Sequence, residues 1–178
     1  MPYDQRPDPG EYNTYYDRYV ALVPQGDIIA LLSVQLDDTL ALVRDLTEDQ
    51  ALYAYAPGKW TIKEVLGHIM DAERVFLHRA LRFARGDETP LASFDENAYT
   101  PAGAFNNRPL ASLIAELTAV RRASVAFLAG LPAAAWERRG TASGSPVSVR
   151  GLAWITAGHE LHHRSILAQR YLAAPLAH

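Results

Sequence analysis

Four stretches of this chain carry apolar residues at three- and four-residue spacing, and that period limits what the chain can fold into. Such spacing gathers side chains on one face of an α-helix, whereas a half-buried strand needs strict alternation. The first stretch runs from Asp27 to Arg44 through Ile28, Leu31, Leu32, Leu36, Leu40 and Val43. The second opens at Thr61, which fits a capping box with Glu64 and places Trp60 to staple onto Val65. Its stripe of Ile62, Val65, Leu66, Ile69 and Phe76 ends near Gly86. The third follows Pro109, a first-turn residue, through Leu110, Leu113, Ile114, Leu117, Val120 and Phe127. Ser148 caps the fourth, Val149 to about Leu172, which holds Leu152, Ile155, Ile166 and Leu167. No segment alternates convincingly. The pattern predicts an all-α, four-helix bundle.

Shorter signals fill the gaps. Thr47-Glu48-Asp49-Gln50 fits a second capping box and predicts a short helix before the Pro57-Gly58 break. Asp87 to Asn107, with Pro90, Pro101 and Gly103, reads as a long loop between the second and third long helices; loops of that length are usually functional. Leu131 to Arg138 suggests another short helical turn, and Gly140 to Pro146 a polar break. The first ten residues, with three prolines and a glycine, read as an extended arm. At 178 residues the expectation is one domain spanning 1–178.

Composition excludes some chemistries. The chain has no cysteine, so disulfides, thiolate ligands and a cysteine nucleophile are absent, and any metal must be held by His, Asp or Glu. A formal charge of −3 offers no basic stripe for nucleic acid. No apolar run is long enough to cross a bilayer, and the N-terminus lacks the basic and apolar segments of a signal peptide. A cytoplasmic protein acting on a small molecule, with neither nucleic acid nor membrane as partner, is expected.

The chemistry-bearing motif is His159-Glu160-Leu161-His162-His163. Residues four apart share a helix face, so His159 and His163 can direct two imidazoles at one ion. The pentapeptide fits the HExxH pattern of zinc proteases, in which the glutamate is the base. Such proteases take a third ligand from downstream, yet only fifteen residues follow His163 and none is acidic; the terminal His178 is a poor ligand. A third ligand therefore comes from upstream, where His68 lies among Val65, Leu66 and Ile69. A lone histidine there is ordinarily a hydrogen-bonded core residue. Beside a same-face pair that repels when charged and needs partners when neutral, it becomes a third ligand, and a shared cation resolves the conflict.

These residues resemble a known family. Trp60-Thr61-Ile62-Lys63-Glu64-Val65-Leu66-Gly67-His68, followed by Asp71 and Glu73, resembles the second-helix motif of the DinB/YfiT-like superfamily. His159-x-x-x-His163 resembles its second motif, and Glu88-Thr89-Pro90 with Phe94-Asp95-Glu96-Asn97-Ala98-Tyr99 the loop of its YfiT branch. The resemblance spans about Tyr19 to Leu172. It implies a four-helix bundle with one divalent ion, nickel or zinc most often, on His68, His159 and His163, water filling the open positions. It also implies small-thiol-dependent S-transferases, thiol-dependent isomerases or metal-dependent hydrolases as relatives, some of them homodimers.

The first expectation is thus a low-molecular-weight-thiol-dependent S-transferase acting on small electrophiles. Its rivals are a metal-dependent hydrolase of a small amide or ester and a non-catalytic metal- or ligand-binding protein. Glu160 is a candidate base; about 100° around the helix from His159, it reads otherwise as a solvated carboxylate. Asp71, on the face of His68, can orient a ligand or a metal water. Glu73 and Arg74 read as exposed. Arg79, with Arg82 beyond it, can hold an anionic substrate. Asp95, Glu96 and Asn97 can cover the site mouth, with Asn97 and Trp60 as substrate contacts; Trp60 otherwise reads as core or pocket wall, like Trp136 and Trp154. His162 is either a support for the ligands or a surface residue.

Overall fold

The computed structural model describes residues 3–173. Met1, Pro2 and the terminal His178 lie outside them. Seven α-helices are described: α1 (Asp17–Val20), α2 (Ile28–Val43), α3 (Glu48–Ala51), α4 (Ile62–Ala84), α5 (Glu96–Ala102), α6 (Leu110–Ala129) and α7 (Val149–Ile166). The long helices α2, α4, α6 and α7 form a four-helix bundle. Its main contacts join α4 to α7 and α6, and α2 to α6 and α7. The successive pairs α2/α4 and α6/α7 thus lie across the diagonals, so the bundle does not follow simple up-and-down neighbour order.

Local chemistry sets the helix starts. Asp27 accepts from Ile29 and Ala30 backbone N–H groups, and Ser148 from that of Gly151. Thr47 and Thr61 each make the reciprocal capping box. Pro109 caps α6 from outside its first turn rather than sitting within it. The chain after α7 continues as a single π-type turn, Leu167–Tyr171, and the Tyr171 hydroxyl donates to the Trp60 carbonyl at 2.7 Å.

Three expectations change. The polar break is a β-hairpin, β1 (Arg139–Ala142) paired antiparallel with β2 (Ser145–Ser148). The stretch 87–107 is half helical: Asp95 caps α5, and a 3₁₀ turn follows at Phe105–Asn107. Leu91 bridges to Ala142, which fastens this stretch to the hairpin. The N-terminal segment is extended only in part, with a 3₁₀ turn at Pro9–Glu11, and it packs down. Arg6 donates to the carbonyls of Val20 and Val23, and buried Glu11 pairs with Arg150 at the start of α7. Glycine permits the last contact of this segment: a Cβ at Gly158 in α7 would overlap the backbone of Tyr19.

One polar cluster ties the four long helices together. Arg121 of α6, 1% exposed, donates from Nε and Nη2 to the Glu73 carboxylate of α4 at 3.0 and 2.8 Å. Its Nη1 donates to Glu160 of α7 at 2.7 Å and to the Leu32 carbonyl of α2 at 2.9 Å. Thr39 of α2 donates to the other Glu160 oxygen at 2.8 Å. Glu73 is therefore a core residue, contrary to the exposed position its sequence suggests: it spans from α4 to the Arg121 guanidinium of α6. Removing one partner of a buried pair leaves the others charged and unpaired. Arg121→Met should lower unfolding free energy by about 3–5 kcal/mol, and the triple change Arg121→Met, Glu73→Met, Glu160→Met should cost less than the single one. Denaturant melts of the two variants check this.

Candidate metal centre

The α4–α7 contact brings the three histidines together. His68 is in the second turn of α4, and His159 and His163 share one face of α7. All three are buried, and each offers a ring nitrogen within 4.8 Å of the other two. Nε2 of His68 and Nε2 of His159 are 2.9 Å apart. Metal–nitrogen bonds of about 2.0–2.1 Å at tetrahedral angles set nitrogens roughly 3.4 Å apart, so the cluster has the right compass for one ion. Gly67 leaves room beside His68 for the Phe105 ring, which a Cβ there would strike. The Trp60 ring centroid lies 4.8 Å from that of His68.

The electrostatics suit a neutral ligand set. Burial pushes the His68 imidazole down to about 4, against the pull of Glu96. Burial, with His68 as a like neighbour, takes His163 to about 3. His159 lies well below its ordinary value through burial first and then the two imidazoles beside it. All three are therefore neutral at pH 7 and present lone pairs. Three neutral imidazoles suit zinc, nickel, copper or iron, and with no carboxylate or thiolate among them they leave an ion its full charge.

Beside the histidines lies a pocket of about 110 Å³. Tyr15, Tyr16 and Tyr19 from the N-terminal segment and α1 form one wall, and Phe76 and Phe94 another. Glu96, Ser143, His68 and His159 complete it. Tyr19 stands edge-on to His159, with ring centroids 5.4 Å apart, and Phe76 does the same at 5.8 Å. Arg18 donates to the hydroxyls of Tyr15 and Tyr19.

The other sequence candidates fall in distinct places. Glu160 is 1% exposed and bound to Arg121 and Thr39, so it is neither solvated nor a wall of the pocket. Asp71 is half-buried and pairs with Arg74 at 3.6 Å; burial raises its carboxyl, with Arg74 opposing and Glu116 adding to the rise. Arg74 itself also pairs with Glu116. Arg79 is buried and donates to Ser143 Oγ, whereas Arg82 pairs with Asp87. Asn97 is exposed, and it is Glu96, one residue earlier, that reaches the pocket. His162 is half-buried, its ring 5.3 Å from Tyr19 and 5.1 Å from His163. The tyrosine wall carried no sequence signal, because α1 is too short to show a period.

Comparison with known proteins agrees with this architecture. Residues 31–167 match the DinB superfamily, and the chain belongs to it. The fold aligns with YfiT from Bacillus subtilis at a TM-score of 0.75, over 96% of this chain and 93% of that one, at 17% identity. That protein is described as a probable metal-dependent hydrolase with an unusual four-helix bundle topology. At such identity the likeness concerns the fold. No curated protein matches the sequence. No helix among the described residues is long and apolar enough to cross a membrane. The fold and the three-histidine cluster fit a metal-dependent enzyme.

The neutral histidines also set a pH response. An unfolded chain protonates them near pH 6.5, whereas the metal-free fold holds His68 and His163 neutral down to about 4 and 3. Below pH 6.5 the unfolded state therefore binds more protons, and stability falls with pH. The expected slope is roughly 1.4 kcal/mol per pH unit for each such histidine. Chelator-treated protein should lose stability between pH 6.5 and 4.5 with a slope steeper than that of His163→Ala by about one histidine's share.

Proposed function

We propose that this chain is a metal-dependent enzyme that joins a low-molecular-weight thiol to small electrophiles, using one divalent ion, nickel or zinc, on His68, His159 and His163. The observation that carries this reading is the withdrawal of Glu160 into the Arg121 cluster. A zinc protease needs that glutamate beside its water, and here both its oxygens are engaged elsewhere.

When bound, the ion supplies positive charge that lowers the pKa of an acid placed beside it. A thiol at about 8.5 needs far less help than water at about 15.7, so thiol chemistry proceeds here without a protein base. The chain contains no cysteine, so the sulfur belongs to a cosubstrate. The tyrosine and phenylalanine side chains that line the pocket suit an apolar electrophile, and the Trp60 ring packs against His68. The neutral histidines keep their lone pairs directed inward at working pH.

One observation favours a second reading. Glu96 is the carboxylate among the residues that line the pocket, and it is placed to accept a proton from water in the hydrolysis of a small amide or ester. Conjugation of monochlorobimane with bacillithiol, mycothiol or glutathione separates the two. The thiol reading predicts turnover that His163→Ala abolishes and that Glu96→Gln reduces less than about threefold. Thiol-independent ester hydrolysis, lost by a factor of about 100 or more in Glu96→Gln, would establish the second reading instead. Retention of metal and ligand with neither activity would mark a binding protein.

A further inference from the structure

Three arginines are buried in this fold, and they are not treated alike. Arg121 meets Glu73 and Glu160, and Arg150 meets Glu11. Arg79, 3% exposed, has no carboxylate partner among the described residues. Its Nη2 donates to the Ala92 carbonyl at 2.9 Å and to Ser143 Oγ at 3.0 Å, and its charge acts on the nearby Tyr16 hydroxyl. The Phe94 ring centroid lies 5.9 Å from its guanidinium carbon. A guanidinium keeps its charge inside a protein, and a buried charge without a counter-charge is costly to hold. The fold keeps one here.

The hydrogen bonds show where that charge is delivered. A guanidinium only donates, so Ser143 Oγ accepts from it, and the same charge acts on the Tyr16 hydroxyl. Each hydroxyl then keeps its own proton to give away. Tyr16 and Ser143 both line the pocket that contains His68 and His159, and Arg79, bonded to Ser143, lines the neighbouring cavity. The result is two hydroxyl-bearing residues lining one pocket beside a buried positive charge, which is a combination suited to an oxyanion.

The backbone adds an independent sign. Ser143 and Gly144 form the β1–β2 turn, with φ of 51° and 74°. Two positive φ angles are what a tight hairpin requires, but asparagine or glycine is the usual first residue. Serine in a left-handed conformation is strained, and its hydroxyl is the group that meets Arg79. The Ser143 N–H, bonded to the Leu91 carbonyl at 3.0 Å, holds the turn in place.

We propose that Tyr16, Ser143 and Arg79 form a recognition site for a carboxylate, so that the pocket takes a small carboxylate-bearing molecule with its other end toward His68 and His159. That this molecule is a substrate rests on the metal-dependent reading above; the anion site does not. The aromatic walls Phe76 and Phe94 favour a flat or apolar body. Glu96, on the same pocket, repels an anion and tunes its affinity downward.

Benzoate and its neutral isostere benzamide test this on chelator-treated, metal-free protein, where no ion can capture the carboxylate. Titrations followed by NMR should show benzoate binding at least about tenfold tighter than benzamide. Tyr16→Phe and Ser143→Gly should each weaken benzoate several-fold, and Glu96→Gln should tighten it. Ser143→Gly also relieves the strained backbone, so its melting temperature should rise while benzoate affinity falls. Arg79→Met should remove the preference for benzoate, but Ser143→Gly and Tyr16→Phe carry the test should that variant not fold. Equal binding of benzoate and benzamide, or unchanged benzoate affinity in Tyr16→Phe and Ser143→Gly, would overturn the proposal. A protein that discriminates benzoate without metal yet turns over no thiol would lose the proposed reaction and keep this site.

Discussion

A single guanidinium at the centre of the bundle sets the relation among the four long helices. Arg121 comes from α6, and its partners are Glu73 on α4, Glu160 on α7 and a backbone carbonyl on α2. Apolar packing tolerates small shifts of one helix against another, whereas a planar fork with five donors accepts few placements of its acceptors. Glu160 is flanked by His159 and His163, and Glu73 lies just over one turn beyond His68. Fixing these two carboxylates on one cation therefore also fixes how the metal-ligating faces of α4 and α7 meet. Such a cluster is weak support for stability in itself, since desolvation offsets much of its attraction. Its contribution here is register.

The site that results has two halves of opposite character. The histidine half is neutral, because burial holds all three imidazoles unprotonated, and it is suited to receive positive charge. The other half has a buried positive charge beside it, Arg79 donating to the pocket-lining Ser143. Tyr15, Tyr16 and Tyr19 precede residues 31–167, the stretch that matches the DinB superfamily, so part of the pocket lining comes from outside the matched core.

Much of this was legible in the sequence, and the omissions have physical causes. The four long helices announced themselves by period, two of them also by their caps at Thr61 and Ser148. The histidines were found because helical spacing pairs His159 with His163 and because His68 sits in an apolar stripe. Glu160 was misplaced because turning away from the ligand face was equated with facing water. From Val149 to Glu160 every residue of α7 is buried, so the far side of the helix meets protein. The scarcity of charge in that stretch, Arg150 and Glu160 alone apart from His159, is a signal that could have revealed it. Glu73 misled similarly, since its partner lies 48 residues away. The hairpin escaped because Arg139-Gly-Thr-Ala142 and Ser145-Pro-Val-Ser148 are too short to show alternation, and their pairing depends on a turn whose strained residue is a serine.

The central claim is that three imidazoles from two helices hold one divalent ion. Elemental analysis of untagged protein, purified without chelator, tests it most directly. The account predicts close to one nickel or zinc per chain, lost in His68→Ala while the helical circular dichroism is retained. Wild-type protein that carries no metal, and whose melting temperature is unmoved by added nickel or zinc, would contradict it.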